Sequence, residues 1–181
     1  MSEKIKRVER KLIRKGAILD IYSDTMLLPN GKTEEWDIVE HRLGAAAVVP
    51  IMDDGKILMV HQFRPAIGRR TLEIPAGSRD SITEDTKICA ARELEEETGY
   101  RSEHLRKLIS LKTTVAFCNE AIDVYLAEKL IPSKQNLDEA EEIEVEAFSM
   151  EELLDKIYAG EIEDGKTVAS ILAYRNLQLT Q

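Results

Sequence analysis

The chain has 181 residues and a formal net charge of −9, with 25 Lys and Arg residues against 34 Asp and Glu residues. This length suits one domain with a small appendage, and 43% hydrophobic with 33% charged residues is the composition of an ordinary globular protein. The acidic balance argues against a nucleic-acid-binding surface, because phosphate contacts need clustered Lys and Arg. We therefore expect no nucleic-acid partner.

The sequence also argues against a membrane segment. No apolar run reaches 18 residues, and the N-terminus lacks the apolar core of a signal peptide. Residues 4–15 are locally basic, but Glu9 interrupts them and bulky apolar residues are few, which favours a solvated strand or helix over a membrane anchor. Cys89 and Cys118 are isolated and lack metal-binding spacing. We expect no membrane partner and a cytoplasmic location.

The N-terminal part of the chain predicts β-structure. Strands are expected, in chain order, over residues 18–21, 25–28, 34–40, 44–51 and 56–63. Asn30-Gly31 is a strong hairpin signal between the second and third of these strands, and Asp53-Asp54-Gly55 predicts a turn between the last two.

A strand, a glycine turn and a helix are predicted next. Residues 72–77, Leu-Glu-Ile-Pro-Ala-Gly, indicate a strand that Pro and Gly bring to an end. Thr83-Glu84 is a plausible helix start after a polar loop. The helix is expected to end at Thr98-Gly99, because glycine can adopt the left-handed cap.

This helix carries an unusual group of carboxylates. At 3.6 residues per turn, Glu93 and Glu97 lie one above the other, with Glu96 beside them. Like charges at this spacing repel, and Arg92 on a neighbouring face can relieve only part of the repulsion. Dense oxygen ligands suit a hard divalent cation such as Mg²⁺. The alternative is a solvated acidic helix face.

The C-terminal part predicts a mixture of strands and helices. Strands are expected over residues 105–113, 121–127 and 143–148. Ser149 and Glu152 form a capping-box pattern that opens a helix to Tyr158, and a terminal helix is expected over residues 167–177. The pattern as a whole predicts an α/β fold, in which helices sandwich a mixed sheet and a small antiparallel N-terminal sheet precedes it.

The acidic helix and its flanks resemble the box of the Nudix hydrolases. That box is Gly, five residues, Glu, seven residues, then Arg-Glu-apolar-x-Glu-Glu-x-Gly-apolar. Glu84, the seven residues after it and residues 92–100 match this pattern, but six residues separate Gly77 from Glu84. The resemblance implies the Nudix fold and cleavage of a pyrophosphate bond.

An N-terminal sheet of about 40 residues further resembles the ADP-ribose pyrophosphatase branch. Matching segments include Gln62-Phe63-Arg64-Pro65, residues 72–77 and residues 161–167. The resemblance implies a dimerising sheet at residues 1–42 and a Nudix domain at residues 43–181. It also implies a homodimer in which the N-terminal sheet is exchanged between subunits.

The resemblance implies a metal site and a base. Mg²⁺ is the expected cofactor, with Mn²⁺ as the alternative, and the implied ligands are the Ala76 carbonyl, Glu93, Glu96, Glu97 and Glu141. Arg92 is expected to orient the glutamates, and Glu96 to bridge or ligate a second ion. Members of this branch take the base from an acidic loop before the last strand, which makes Glu139 the implied base. A one-residue shift of the alignment would exchange Glu141 and Glu142.

Four residues are candidate substrate contacts. The resemblance implies that Trp36 stacks on adenine, often across a dimer interface, against the alternative of plain packing. Arg64 could hold a phosphate or the terminal ribose, or form a surface ion pair. His41 could face the nucleotide or be a structural histidine. Ser78, directly after the glycine turn, is the fourth candidate.

The implied reaction converts ADP-ribose to AMP and ribose 5-phosphate. One departure bears on specificity, because Val115-Ala116 stands where members of the branch typically have Pro-Gly. Hydrolysis of GDP-sugars or other nucleoside diphosphate sugars is therefore the alternative. A non-catalytic sensor of ADP-ribose is an alternative of another class, although it would not need so many repelling carboxylates.

Overall fold

The computed structural model describes residues 4–137, 139 and 142–180. The strands are β1 Lys6–Lys15, β2 Leu19–Leu27, β3 Thr33–His41, β4 Ala45–Pro50, β5 Ile57–Arg64, β6 Arg69–Glu73, β7 Ala76–Ser78, β8 Tyr100–Arg101, β9 His104–Lys112, β10 Ala121–Glu128, β11 Ile131–Pro132 and β12 Ile143–Phe148. The helices are α1 Thr86–Thr98, α2 Met150–Tyr158 and α3 Gly165–Leu179. None of these three helices has the length and apolar composition that a bilayer crossing requires.

The body of the fold contains a mixed sheet in the order β7-β4-β10-β9. Strands β4 and β10 are parallel, with Ala45 opposite Ile122, and the other two pairs are antiparallel. A second, antiparallel sheet has the order β12-β5-β6. The isolated pairing of Ile51 with Ile57 links the two sheets after β4.

Helices cover both faces of the mixed sheet. Ala47 belongs to a buried cluster with Leu153 of α2 and Ile171 of α3, whereas the next residue, Val48, belongs to a second cluster with Leu94 of α1. Successive residues of a strand point to opposite faces, so β4 supplies both cores. The predicted α/β architecture with a sandwiched mixed sheet is confirmed.

The N-terminal sheet has the order β1-β2-β3 and is antiparallel throughout. The predicted hairpin at Asn30-Gly31 is present, with Gly31 at φ +79°. The two strands predicted over residues 18–21 and 25–28 are instead one strand, β2, because no turn-forming pair interrupts it. All ten residues of β1 are exposed.

Two helix starts differ from those predicted. Helix α1 begins at Thr86 rather than at residue 83, because the Asp85 side chain caps it by accepting a hydrogen bond from Lys87 N at 2.8 Å. The Glu84 side chain instead closes the preceding loop by accepting from Asp80 N at 2.7 Å. Helix α3 begins two residues early, at Gly165, because Asp164 is its N-cap.

Helix α3 ends at Leu179, two residues later than predicted, whereas the predicted end of α1 and both ends of α2 are confirmed. Gly99 caps α1 in the left-handed conformation at φ +71°, and its N–H donates to Glu95 O. Ser149 and Glu152 form the reciprocal capping box at the start of α2. The short strands β8 and β11, which the sequence did not predict, pair with each other.

Candidate active site

Two carboxylates of α1 are buried against strand β7. Glu93 is 7% exposed and Glu97 is 1% exposed. Ala76 N donates a hydrogen bond to Glu97 Oε2 at 3.2 Å. A Cβ on Gly77 would overlap the Glu93 carboxylate, so the absence of a side chain at Gly77 leaves the space that this carboxylate occupies. The predicted glutamates and the backbone of residues 76–77 therefore meet at one place.

Arg92 holds these carboxylates in position. Its Nη1 donates to Glu93 Oε1 at 2.7 Å and to Glu96 Oε2 at 3.0 Å, and its Nη2 donates to Ser78 O at 2.9 Å. Burial alone would lower the pKa of Arg92, but the charge of Glu93 and the hydrogen bond to Glu96 raise it above its usual range. Arg92 is thus a permanent cation that links α1 to β7.

The donor set has the chemistry of a hard-cation site. Glu93, Glu96, Glu97 and the Ala76 backbone offer only oxygen ligands, which Mg²⁺ and Mn²⁺ prefer. Within residues 4–137, 139 and 142–180, no three His, Cys, Asp or Glu side chains have the geometry of an assembled metal site. A cation held by Glu93 and Glu96 would compete with Arg92 for the oxygens that Arg92 now contacts.

A cavity of about 920 Å³ is lined by Ala76 and Gly77, the backbone against which Glu93 and Glu97 pack, but by none of Glu93, Glu96 and Glu97. Its size is in the range of small-molecule pockets. Strand β7 and a group of charged side chains contribute to its wall, which includes Ala76, Gly77, Ser78, Arg64, Glu73 and Lys166. The predicted metal-site backbone and two predicted substrate contacts, Arg64 and Ser78, thus share one cavity.

Arg64 contacts a buried carboxylate within this cavity wall. Its Nε and Nη2 donate to Glu73 at 2.7 and 2.5 Å, and Lys166 Nζ also donates to Glu73. Neither Glu73 nor Lys166 was singled out from the sequence. A signal for Glu73 was present, because a lone carboxylate between Leu72 and Ile74 predicts a buried charge that needs a partner.

A smaller cavity of about 300 Å³ lies beside His41. His41 Nδ1 accepts a hydrogen bond from Gly44 N at 2.9 Å, and its Nε2 lies 3.6 Å from Glu120 Oε1. Glu120 lines both cavities and is a further residue that sequence reasoning did not place in the site. His41 is only 8% exposed, and it both lines the cavity and accepts the structural hydrogen bond from Gly44 N.

In the described part of the chain, the remaining candidates take no part in the hydrogen bonds given above for the glutamates of α1. Trp36 is 38% exposed, its Nε1 lies 3.5 Å from Glu34 Oε2, and it lines neither of the two cavities. Glu139 is exposed. Glu142 is also exposed, and its carbonyl accepts from Arg70 Nη2 at 3.2 Å. Glu141 lies outside the described residues.

The sequence is similar to those of several known proteins. A sequence profile of the NUDIX domain matches residues 41–170. The chain belongs to the Nudix family. It is similar to an ADP-ribose pyrophosphatase of Bacillus subtilis (strain 168), with 40% identity over 92% of this chain and 90% of the relative. It is also similar to a methanol dehydrogenase activator of Bacillus methanolicus, with 39% identity over 96% of this chain and 93% of the relative.

A solved structure shows the same Nudix fold. The crystal structure of an ADP compounds hydrolase superposes with a TM-score of 0.90 and covers 100% of this chain and 97% of its own, at 19% identity. The predicted family, fold class and enzyme class are therefore confirmed, and the chain is a Nudix hydrolase acting on pyrophosphate bonds. The family match also explains why the acidic helix, rather than any other segment, carried the functional signal.

Proposed function

We propose that this protein hydrolyses the pyrophosphate bond of a nucleoside diphosphate derivative in a Mg²⁺-dependent reaction, with ADP-ribose as the substrate and AMP and ribose 5-phosphate as products. The observation that carries the proposal is the burial of Glu93 and Glu97 against residues 76–77, at the edge of a cavity large enough for a nucleotide sugar. Mn²⁺ is the alternative cofactor.

The proposed roles of the chain's residues are metal binding, orientation of the ligands, proton transfer and substrate contact. Glu93, Glu96, Glu97, the Ala76 carbonyl and Glu141 would hold the metal, which when bound supplies charge neutralisation of the phosphates and a more acidic water. Arg92 orients Glu93 and Glu96 through its paired hydrogen bonds. Glu139 would take the proton from the attacking water. Arg64 and Ser78 in the cavity wall would contact the substrate.

ADP-ribose is favoured by the likeness to an ADP-ribose pyrophosphatase over nine-tenths of both chains. One structural feature keeps other nucleoside diphosphate sugars as the second candidate. Val115 lies in a turn that Thr114 O closes by accepting from Cys118 N at 2.9 Å, and Val115 is 81% exposed. Thr113 and Thr114 line the large cavity, so the path of this turn can alter which sugar fits.

The proposal extends to the setting of the enzyme. The acidic net charge of −9 supports a protein that binds no nucleic acid. We further propose a homodimer formed through the N-terminal sheet, a cytoplasmic location and no membrane partner.

Phosphate-product release from a substrate panel tests the function. The panel contains ADP-ribose, ADP-glucose, GDP-mannose, diadenosine polyphosphates and nucleoside triphosphates, each with Mg²⁺, with Mn²⁺ and with EDTA. We expect AMP from ADP-ribose in the presence of Mg²⁺ and at least about tenfold higher kcat/KM than for GDP-mannose.

The other outcomes separate the alternatives. Preferential cleavage of GDP-mannose would keep the chemistry and replace the substrate. Tight binding of ADP-ribose without cleavage of any compound would overturn the enzymatic proposal in favour of a sensor. Equal turnover in EDTA would overturn the metal dependence.

A further inference from the structure

We propose that Lys166 is a positioning residue, which acts through Glu73 to hold the Arg64 guanidinium at the wall of the large cavity. Helix α3 thereby contributes to substrate binding through Glu73 and Arg64. The observations are a chain of three charged side chains that come from β5, β6 and the first turn of α3.

The hairpin of β5 and β6 brings the first two members together. Val60 pairs with Glu73 and Gln62 pairs with Thr71, so Glu73, Thr71 and Arg64 share one face of the hairpin. Arg64, two residues beyond Gln62, reaches back along this face and donates to both carboxylate oxygens of Glu73. This fork-like contact fixes the plane of the guanidinium, which a single hydrogen bond would not do.

Glu73 can fix Arg64 only while it is itself ionised and fixed. Its side chain is 3% exposed, and burial would raise its pKa. The hydrogen bond from Arg64, the charge and hydrogen bond of Lys166 and the hydroxyl of Thr71 outweigh this effect and lower the pKa of Glu73 to about 2. Glu73 is therefore a carboxylate at neutral pH, and two cations offset the cost of its burial.

Lys166 supplies that second cation from a rigid position. Its side chain is 10% exposed, and its Nζ donates to Glu73 and, at 2.9 Å, to Asp164 Oδ2. The neighbouring residue locks the start of α3 onto β6, because Ile74 N donates to Thr167 Oγ1 at 3.0 Å. Asp164 in turn accepts from Thr167 N at 3.0 Å. Lys166 therefore holds the Glu73 carboxylate through an ion pair from a well-fixed position at the start of α3.

The direct test replaces Lys166 with an uncharged residue of similar length. Among the described residues, Lys166→Met leaves Arg64 as the one cation that contacts Glu73, so we expect the guanidinium to lose its fixed orientation. Because the kinetic readout rests on the proposed function, we expect KM for ADP-ribose to rise about tenfold while kcat stays within about twofold. Lys156→Met is the matched control, since Lys156 forms an exposed ion pair with Glu161 at 2.8 Å and contacts neither Glu73 nor Arg64.

A second readout is independent of turnover. The Nε–H of Arg64, labelled with ¹⁵N and assigned by its loss in Arg64→Lys, should exchange slowly with water in the wild type, because it donates to Glu73. Lys166→Met should accelerate this exchange about tenfold or more, whereas Lys156→Met should not. Lys166→Gln provides the same test should the methionine variant fail to fold.

The outcomes distinguish the two proposals. Unchanged Arg64 exchange and unchanged KM in both Lys166 variants would overturn the positioning role, even if thermal stability falls. A wild type that turns over no substrate but shows faster Arg64 exchange on Lys166 replacement would overturn the function and support the positioning role. Recovery of slow exchange in Lys166→Arg would support it further, since this variant restores the charge.

Discussion

At the scale of single residues, the site is defined by how deeply its charges are buried. Glu97 is 1% exposed, yet it lies on a helix whose neighbouring residues repeat the same charge. Glu97 accepts a hydrogen bond from Ala76 N, and Arg92 donates to the neighbouring carboxylates of Glu93 and Glu96. A cation bound by Glu93 and Glu96 would have to displace Arg92 from the oxygens that it now contacts, so metal binding at the proposed site requires a local rearrangement.

The first prediction concerns Glu97. Glu97→Gln removes a charge from the proposed metal site, and we expect kcat to fall by about 10²-fold or more. Steady-state kinetics across a Mg²⁺ titration measures the effect. Glu95→Gln is the matched control on the same helix, because Glu95 accepts from Ser133 at the exposed side of α1. Near-normal turnover of Glu97→Gln would remove this residue from the site.

The second prediction concerns the glycine beneath Glu93. Gly77→Ala would place a methyl group inside the Glu93 carboxylate, so Glu93 must move and break its contact with Arg92. We expect kcat to fall by about 10²-fold and the apparent Mg²⁺ affinity to weaken by about tenfold. In the control Gly165→Ala, the new methyl meets no atom within 4 Å. Equal kinetics in the two variants would show that the close approach has no functional role.

At the scale of secondary-structure elements, ion pairs and caps join segments that are distant in sequence. Arg64 of β5, Glu73 of β6 and Lys166 of α3 form one such junction. A second junction lies at the C-terminal end of α1, where Gln135 Nε2 donates to Glu97 O at 2.7 Å and Asn136 N donates to Glu96 O at 3.0 Å. These bonds satisfy helix-end carbonyls that have no partner within α1.

The third prediction is the pH dependence of stability that Glu73 creates. Its folded-state pKa of about 2 is below the ordinary value of 4.5, so its stabilisation is complete above pH 4.5 and is lost as the pH falls toward 2. The shift corresponds to about 3 kcal/mol. Urea unfolding of the wild type and Glu73→Gln at several pH values measures it. As the pH falls from 4.5 to 2, the free energy of unfolding should decrease more steeply in the wild type than in Glu73→Gln, by up to about 1.4 kcal/mol per pH unit. Equal slopes in the two proteins would contradict an ionised Glu73 paired with Arg64 and Lys166.

At the scale of the whole molecule, the N-terminal sheet presents apolar side chains that the rest of the described chain does not bury. Val8 is 56% exposed and Leu12 is 48% exposed on β1, an edge strand of ten residues. Long exposed edges with apolar side chains pair readily with another chain. This supports the proposed homodimer.

The fourth prediction is therefore about assembly. The wild type should have about twice the chain mass of 20.5 kDa in sedimentation velocity. Leu12→Glu should shift it to the monomer, because a charge would be buried at the new interface. Lys11→Glu also introduces a negative charge on β1, but it replaces a side chain that is already charged and exposed. This variant should remain dimeric. A wild-type monomer at micromolar concentration would contradict the prediction.

The fifth prediction depends on the same assembly. Trp36 lines neither of the two cavities described above, and in the proposed dimer it would stack on a base bound in the cavity of the second copy. If it stacks, Trp36→Ala should raise KM about tenfold with a smaller change in kcat, and Trp36→Phe should restore most of the affinity. Loss of thermal stability at unchanged KM would assign Trp36 to packing.

Local chemistry made some features predictable. The acidic helix, its glycine cap, the Asn30-Gly31 hairpin and the Ser149 capping box depend on neighbouring residues, and each is present. The predicted start of α1 was wrong because Asp85 caps the helix and Glu84 closes the preceding loop. Either carboxylate is chemically suited to either role. The likeness to a known family, rather than periodicity, supplied the reaction.

Long-range pairings were not predictable from one sequence. Glu73 and Lys166 are 93 residues apart, and nothing local to either identifies the other. The same holds for His41, whose backbone N–H donates to Asn119 Oδ1 at 2.7 Å across 78 residues. Such contacts depend on the order of strands in the sheets, which the hydrophobic pattern alone does not fix.

The parallel pairing of β4 with β10 affects when helix α1 becomes fully packed during translation. Parallel neighbours need a long crossover, and here the crossover contains the acidic helix α1. A nascent chain that ends at Tyr100 holds every residue of the Nudix box, but it lacks Tyr125 and Ala127 of the cluster that buries Leu94. On the ribosome, Leu94 therefore completes its packing only after β10 emerges, although Glu93 and Glu97 can already meet residues 76–77.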